Sequence, residues 1–317
     1  MHGQTPLGWA AENGHEEVVK ILVGRSDVNL NSADQDARTP LARAAENGHE
    51  GVVRILLEQN DVNPNTADNF GRTPLFLAAL LGHEEVVRLL LKRSDVYPNT
   101  TVSYGRTPLS WAAERGNESV VRALLERGEV DPNKVDDEGQ TPLWKAARRG
   151  YGEVVRILLE RSDVNPNTAD RYGETPLSRA VFCRREEVVR ALQESDEVNP
   201  GTTDKWDRTP LSRAAERGNE SVVRALLKRG EVNPNKVDNQ GRTPLWRAAR
   251  YGHEGVVRIL LERSDVNPNT TDKRDRTPLS RAAESGHEEV VRALLELDEV
   301  NPNTSDNMDR KPLLWVV

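Results

Sequence analysis

Residues 105–138 read GRTPLSWAAERGNESVVRALLERGEVDPNKVDDE, and this stretch decides the fold. Thr107 is placed to cap a helix with its hydroxyl, and Pro108 is preset for the first helical position. Leu109, Ala112 and Ala113 then share one helical face. The two alanines let a neighbouring helix approach closely. Gly116 stands where a left-handed residue ends the helix. Asn117 is expected to cap a second helix, with Glu118 at its positive end. Val120, Val121, Leu124 and Leu125 form that helix's apolar stripe, and Gly128 is expected to stop it. Asp131-Pro132-Asn133 turns the chain away, and Asp136-Asp137-Glu138-Gly139 reads as a type I turn.

The same string returns every 34 residues. Thr-Pro-Leu begins at Thr5, Thr39, Thr73, Thr107, Thr141, Thr175, Thr209, Thr243 and Thr277, and Lys311-Pro312-Leu313 opens a further copy. No insertion interrupts the spacing. We expect one continuous array over 1–317, with repeats starting near 3, 37, 71, 105, 139, 173, 207, 241 and 275 and a partial tenth at 309–317. A single helix pair cannot bury both of its faces, so stability must come from stacking neighbours. The fold class is all-α.

The string Gly-x-Thr-Pro-Leu-x-x-Ala-Ala-x-x-Gly-His/Asn-x-x-Val-Val-x-x-Leu-Leu resembles the ankyrin repeat over nearly the whole chain. Tetratricopeptide repeats share the 34-residue period but lack the Thr-Pro start and the Asp-x-x-Gly turn. The resemblance implies a helical solenoid with hairpin-like finger loops, whose first helices and finger tips line a concave groove. Two departures stand out. The family's usual period is 33, and the extra residue lies in the Asn-Pro-Asn loop. The histidine usual after Thr-Pro-Leu is replaced by Gly8, Ala42, Phe76, Ser110 and Trp144, so its hydrogen bond must be absent or supplied otherwise. Residues 107–208 and 209–310 look like a duplicated block of three repeats. Such nearly identical units more loosely resemble the sensor arrays of fungal NOD-like receptors. The apolar Leu313-Leu314-Trp315-Val316-Val317 lies inside what should be a first helix, and we expect the chain to be part of a longer or shortened protein.

Composition narrows the function. Only 4% of the 317 residues are aromatic, so layers of Leu, Val and Ala must supply the core. The formal charge of −7 argues against a polyanion binder by net charge. Cys183, the one cysteine, excludes an internal disulfide. Neither a membrane-length apolar run nor a signal segment is present, and mean hydropathy is −0.69. A soluble protein of the cytoplasm or nucleus is expected. Asn-x-Ser/Thr triplets at Asn99, Asn117, Asn219, Asn269 and Asn303 fall in the recurring strings and read as structural.

The candidate chemical residues mostly belong to the period. His15, His49, His83, His253 and His287 all follow the turn glycine, too far apart to converge on one ion. Cys183 has arginine neighbours but no fixed base. No phosphate loop, Gly-x-Ser-x-Gly or Cys-x-x-Cys occurs, so no catalytic, metal or cofactor site is expected. Arg54, Arg88, Arg122, Arg156, Arg190, Arg224, Arg258 and Arg292 form a column, but most have a glutamate four residues earlier, the favourable order for an ion pair. Repeat six is irregular: Arg184 replaces the turn glycine and Gln193 a stripe leucine, so the array is expected to bend or loosen there.

Recognition should use positions that vary between copies. Trp111, Glu114 and Arg115 lie opposite the buried alanines, and the corresponding row runs Trp9, Arg43, Leu77, Trp111, Lys145, Arg179, Arg213, Arg247, Arg281 and Trp315. Neighbouring positions add Leu80, Leu81, Arg148, Arg149, Arg250 and Tyr251, and finger tips add Phe70, Tyr104, Tyr172, Trp206 and Met308. We expect an apolar early part and a basic later part built on Lys145, Arg148, Arg149, Arg179, Arg213, Arg247, Arg250 and Arg281, fitting a protein partner with an acidic segment. The competing reading of the row is internal pairing, with Arg213–Glu216 and Arg281–Glu284 neutralising it. Rival functions are end-to-end self-assembly, against an expected monomer, and polyanion binding, although nucleic acid is not the expected partner.

Overall fold

Every Thr-Pro opens a helix in the computed structural model, which describes residues 4–307. The threonine hydroxyl accepts a hydrogen bond from the N–H three residues on, as from Ser110 to Thr107 at 3.1 Å and from Trp246 to Thr243 at 3.1 Å. Proline then occupies the first turn, where its missing N–H costs nothing. Repeats one to three hold α1 (Pro6–Glu12), α2 (Glu16–Val23), α3 (Pro40–Glu46), α4 (Glu50–Leu57), α5 (Pro74–Leu81) and α6 (Glu84–Leu91). Repeats four to six hold α7 (Pro108–Arg115), α8 (Glu118–Leu125), α9 (Pro142–Arg149), α10 (Gly152–Leu159), α11 (Pro176–Phe182) and α12 (Glu186–Gln193). Repeats seven to nine hold α13 (Pro210–Arg217), α14 (Glu220–Leu227), α15 (Pro244–Arg250), α16 (Glu254–Leu261), α17 (Pro278–Glu284) and α18 (Glu288–Leu295). The expected all-α class holds among the described residues, with one isolated antiparallel bridge, Val102 to Arg106, inside a finger. The partial tenth repeat, Met308 and Trp315 lie outside them.

Two compact units are distinguished, Met1–Ala146 with Glu153–Val164, and Ala147–Gly152 with Asn165–Val317. In the first, α1, α3, α5 and α7 pack in series, and so do α2, α4, α6 and α8. In the second, α11, α13, α15 and α17 form one row and α12, α14, α16 and α18 the other. The Thr-Pro-Leu leucines, the alanine pairs and the Val-Val pairs are buried at nearly every repeat. No helix among the described residues is long and apolar enough to cross a membrane.

Two helix-end expectations need correction. The second helix of repeat four stops at Leu125, with Glu126 at its C-cap in right-handed geometry, so Gly128 is not its stop signal. Asn117 makes no capping bond, whereas Asn219, in the equivalent place, accepts from Val222 N–H at 3.3 Å. The histidine of that turn bonds between repeats instead. His49 Nε2 lies 2.8 Å from the Glu12 carbonyl and His253 Nε2 3.0 Å from that of Glu216. A carbonyl only accepts, so Nε2 carries the proton. Gly14 must be glycine twice over: its φ is +72°, and a Cβ there would meet the His49 ring at 2.8 Å.

The Asn-Pro-Asn loop builds a second ladder. Asn65 donates from Nδ2 to the Asp95 carbonyl at 2.6 Å and accepts at Oδ1 from Tyr97 N–H at 2.9 Å. Asn167 does the same with Glu197 O at 2.7 Å and Asn199 N–H at 2.8 Å. Each amide thus spans one repeat boundary with both of its polar atoms.

Repeat six keeps two regular helices. Arg184 adopts the left-handed geometry of the glycine it replaces, with φ 57°, and donates to the Arg217 carbonyl at 2.7 Å. The residue 35 positions on is Asn219, smaller than the histidine that covers Gly14, Gly48, Gly218 and Gly252. Arg185 stands for the histidine and reaches the Arg148 carbonyl at 3.3 Å. Gln193 donates to the Ala225 carbonyl at 3.0 Å. The real loss is Gly201, where the ladder asparagine is missing, so no side chain bridges to Glu231 and Asn233. Substituting Gly201→Asn should restore the rung and raise stability by about 1 kcal/mol. A melting temperature at or below that of the unsubstituted chain would contradict this account.

Candidate partner-binding surface

The first-helix row does not form an open basic face. Lys145 is 2% exposed, Arg213 3% and Arg247 3%, and Arg281 is also buried, as is Leu77. For Lys145, Arg213 and Arg247 the burial follows from the finger, which folds back so that its leading aspartate sits against the cation nine residues later. Asp136 pairs with Lys145 at 2.6 Å and Asp204 with Arg213 at 2.7 Å, and Asp34–Arg43 and Asp238–Arg247 repeat the arrangement. The same carboxylate closes the finger: Asp238 Oδ1 accepts from Gln240 N–H at 2.8 Å and Arg242 N–H at 3.0 Å. Arg179, half-buried, pairs with Glu174 at 3.0 Å. Lys145, Arg213, Arg247 and Arg281 are therefore corrected from a displayed row to internal ion pairs. Arg281 does pair with Glu284, but the partners of Arg213 are Asp204 and Glu174 rather than Glu216.

A lateral rung joins consecutive first helices. A glutamate in the last turn of one helix reaches the row cation 31 residues on, from Glu216 to Arg247, from Glu114 to Lys145 at 4.0 Å and from Glu12 to Arg43 at 3.9 Å. The side chains that stand after Thr-Pro-Leu make bonds of their own. Ser110 Oγ donates to the Thr107 carbonyl at 2.9 Å, and Trp246 Nε1 donates to the Arg276 carbonyl at 2.9 Å.

What reaches the surface is the last turn of each first helix and the finger tips. In the first unit Phe70, Leu81 and Tyr104 are exposed, with Leu80 and Trp111 half-buried. Trp111 packs edge-on against Phe76 at 6.3 Å and carries Arg106 over its ring at 4.7 Å. Tyr104 is the most displayed, at 72%, and its φ of 67° is strained for an aromatic residue. Its finger has Val102 where others have aspartate, and it closes through a 3₁₀ turn, Ser103–Gly105. Trp9 is exposed on α1.

In the second unit the tips Tyr172 and Trp206 hold Lys205 between them, its Nζ 4.4 Å and 4.5 Å from the two ring centres. Arg149, Arg184, Arg185 and Arg217 are exposed at helix-end turns, as is Tyr251, while Arg148 and Arg250 are half-buried. The Phe182 ring links this strip to the interior, with Arg217 at 4.3 Å and Arg213 at 5.3 Å. Sequence patterning gives no surface role to Arg185, Arg217 and Lys205 and marks Arg184 only as a replaced turn glycine. Following the helix end and the turn after it, instead of the middle of the helix, points to the arginines.

The second-helix column is a ladder as well as a set of local pairs. Arg258 bonds Glu254 at 2.8 Å and Glu296 of the next repeat at 2.9 Å, and Arg122 and Arg224 reach forward to Glu160 and Glu262 at 3.2 Å each. The finger carboxylates differ among themselves. Burial opposes ionisation of Asp238, but backbone donors and Arg247 outweigh it and hold the group below its usual range. At Asp170 the arginine found four residues on in most other fingers is replaced by Glu174. Burial, reinforced by repulsion from Glu174, lifts Asp170 above the usual carboxyl range despite two backbone donors and Arg179.

The family model described as Ankyrin repeats (3 copies) matches residues 2–68, 60–136, 128–204 and 196–272, and the model for a single Ankyrin repeat matches 274–307. The chain is similar to the crystal structure of the human ASB11 ankyrin repeat domain, with 26% identity and a TM-score of 0.60, covering 73% of this chain and 99% of that one. No curated protein sequence matches it.

Asp238 and Asp170 should respond oppositely to neutralisation. The depressed Asp238 group contributes stability above the unfolded carboxyl pKa that is lost as pH falls through its folded value. The raised Asp170 group contributes below the unfolded pKa, and that contribution is lost as pH rises through its folded value. Asp238→Asn should therefore cost about 3 kcal/mol at neutral pH, whereas Asp170→Asn should raise the melting temperature there and give no gain in acid. Thermal melts across pH check both; a loss for Asp170→Asn at neutral pH would refute the assignment.

Proposed function

The chain belongs to the ankyrin repeat family, and we propose that it is a protein-binding scaffold that holds its partner with finger tips and first-helix ends. Ankyrin repeats generally mediate protein–protein interaction. The observation that carries the finer reading is the division of side chains by position. Most charges on the first-helix row, the finger bases and the second-helix column are spent on internal pairs, while residues that differ from copy to copy emerge at the tips and helix ends.

The two units offer different chemistry. Phe70, Leu80, Leu81, Tyr104 and Trp111 give the first unit an apolar and aromatic patch suited to a partner's hydrophobic anchors. Tyr172, Trp206, Arg149, Arg217 and Arg250 give the second an aromatic and cationic strip suited to a partner with an acidic segment. Binding, not catalysis, is the work we assign to the chain.

The test is selection of binding peptides from a random displayed library on the whole chain, followed by affinity measurements on variants. Phe70→Ala with Tyr104→Ala, or Tyr172→Ala with Trp206→Ala, should weaken the selected peptides by roughly tenfold or more. The second-helix control Arg224→Ala should leave them within about twofold. Peptides indifferent to both tip pairs would sink this placement of the surface.

A further inference from the structure

The lateral rung is reversed in charge where Arg148 precedes Arg179 and again where Arg250 precedes Arg281. Where Glu12, Glu114 and Glu216 reach the row cation of the next repeat, α15 ends in Arg250, and the cation 31 residues on is Arg281. Two guanidinium groups thus occupy positions built for an ion pair. Arg250 has no carboxylate within salt-bridge distance among the described residues, and it rests 5.7 Å from the Trp246 ring centre and 5.5 Å from that of Tyr251. Arg281 is 8% exposed and turns back to its own Glu284. Its Nε is buried without any hydrogen-bond partner, a cost a protein normally avoids. Burial and the nearby Arg276 and Arg250 charges push the Arg281 guanidinium below its ordinary range, in spite of Glu284. Arg276, also near the Trp246 ring, is taken by Asp272 at 2.6 Å.

We propose that Arg250 and Arg281 form a carboxylate subsite in the second unit, where a glutamate or aspartate side chain from a partner's acidic segment takes the place of the missing glutamate. The proposal rests on the scaffold reading and gives it a point of contact. Charge complementarity selects the occupant. Where Glu12, Glu114 or Glu216 holds the rung position, this chain's own carboxylate fills it, and Trp246 and Tyr251 flank Arg250 with apolar surface that lowers the local dielectric. The exposed Arg217 on the preceding repeat extends the positive field along an incoming acidic chain.

Fluorescence polarisation of a labelled hexaglutamate peptide at low salt, with the whole chain, tests the subsite. Arg250→Glu restores the rung carboxylate from within, so it should weaken the peptide by at least roughly tenfold without lowering the melting temperature. Arg217→Glu makes the same charge change outside the subsite and should weaken it by no more than about threefold, through the general field alone. Equal effects of the two variants, or a lowered melting temperature for Arg250→Glu, would overturn the proposal. A single-stranded oligonucleotide that binds more tightly than the peptide and is equally sensitive to Arg250→Glu would assign the site to phosphate and also overturn it. If hexaglutamate fails to bind the unsubstituted chain, the subsite falls, while the scaffold reading is still judged by the selected peptides and the tip variants.

Discussion

One carboxylate at the base of a finger, present in every described finger but that of Val102, organises the repeat around it. In Asp68, Asp204 and Asp238 one oxygen accepts two backbone N–H groups and closes the turn, while the other accepts from the arginine four residues on. In Asp204 and Asp238 that second oxygen also takes the cation of the following helix. A buried charge is tolerated only when such donors surround it. The finger is therefore not a loose loop. Its position is tied to the helix that follows, and its tip is displayed on a stiff base.

The period made most of the architecture legible. Thr-Pro starts, alanine faces and valine pairs are local signals, and each corresponds to a helix or a buried layer in the structure. The row cations were misplaced for a reason of another kind. Helical spacing puts Lys145 and Arg213 opposite the alanines, but it cannot show that a finger nine residues upstream folds over that face. Spacing also could not assign the histidines their carbonyl partners, which lie 37 residues back. Long-range pairs of this sort are written in the sequence only as a beat. Their meaning appears once the stacking distance is known.

Net charge likewise hid the local distribution. A chain at −7 still carries, in its second unit, a strip of exposed arginines, because much of the acid is committed to finger turns and to the second-helix ladder. Acid that is spent internally does not screen a neighbouring surface to the extent that free acid would. The exposed apolar tips of the first unit and the exposed arginine strip of the second differ through a few substitutions at helix ends and tips, on a nearly constant scaffold.

The asparagine ladder makes the repeats interchangeable. Every rung runs from an amide to the neighbour's main chain, as from Asn65 to Asp95 and Tyr97, and asks for no particular side chain on the far side. At this joint a 34-residue unit can be copied, removed or moved without a matching change next door, unlike at the acid–cation rungs. Joints that depend on paired side chains require two coordinated mutations, whereas a joint to backbone requires none. A chain built on such joints can revise its recognition surface by shuffling complete units, and the near-identity of residues 117–122 and 219–224 fits that mode of change.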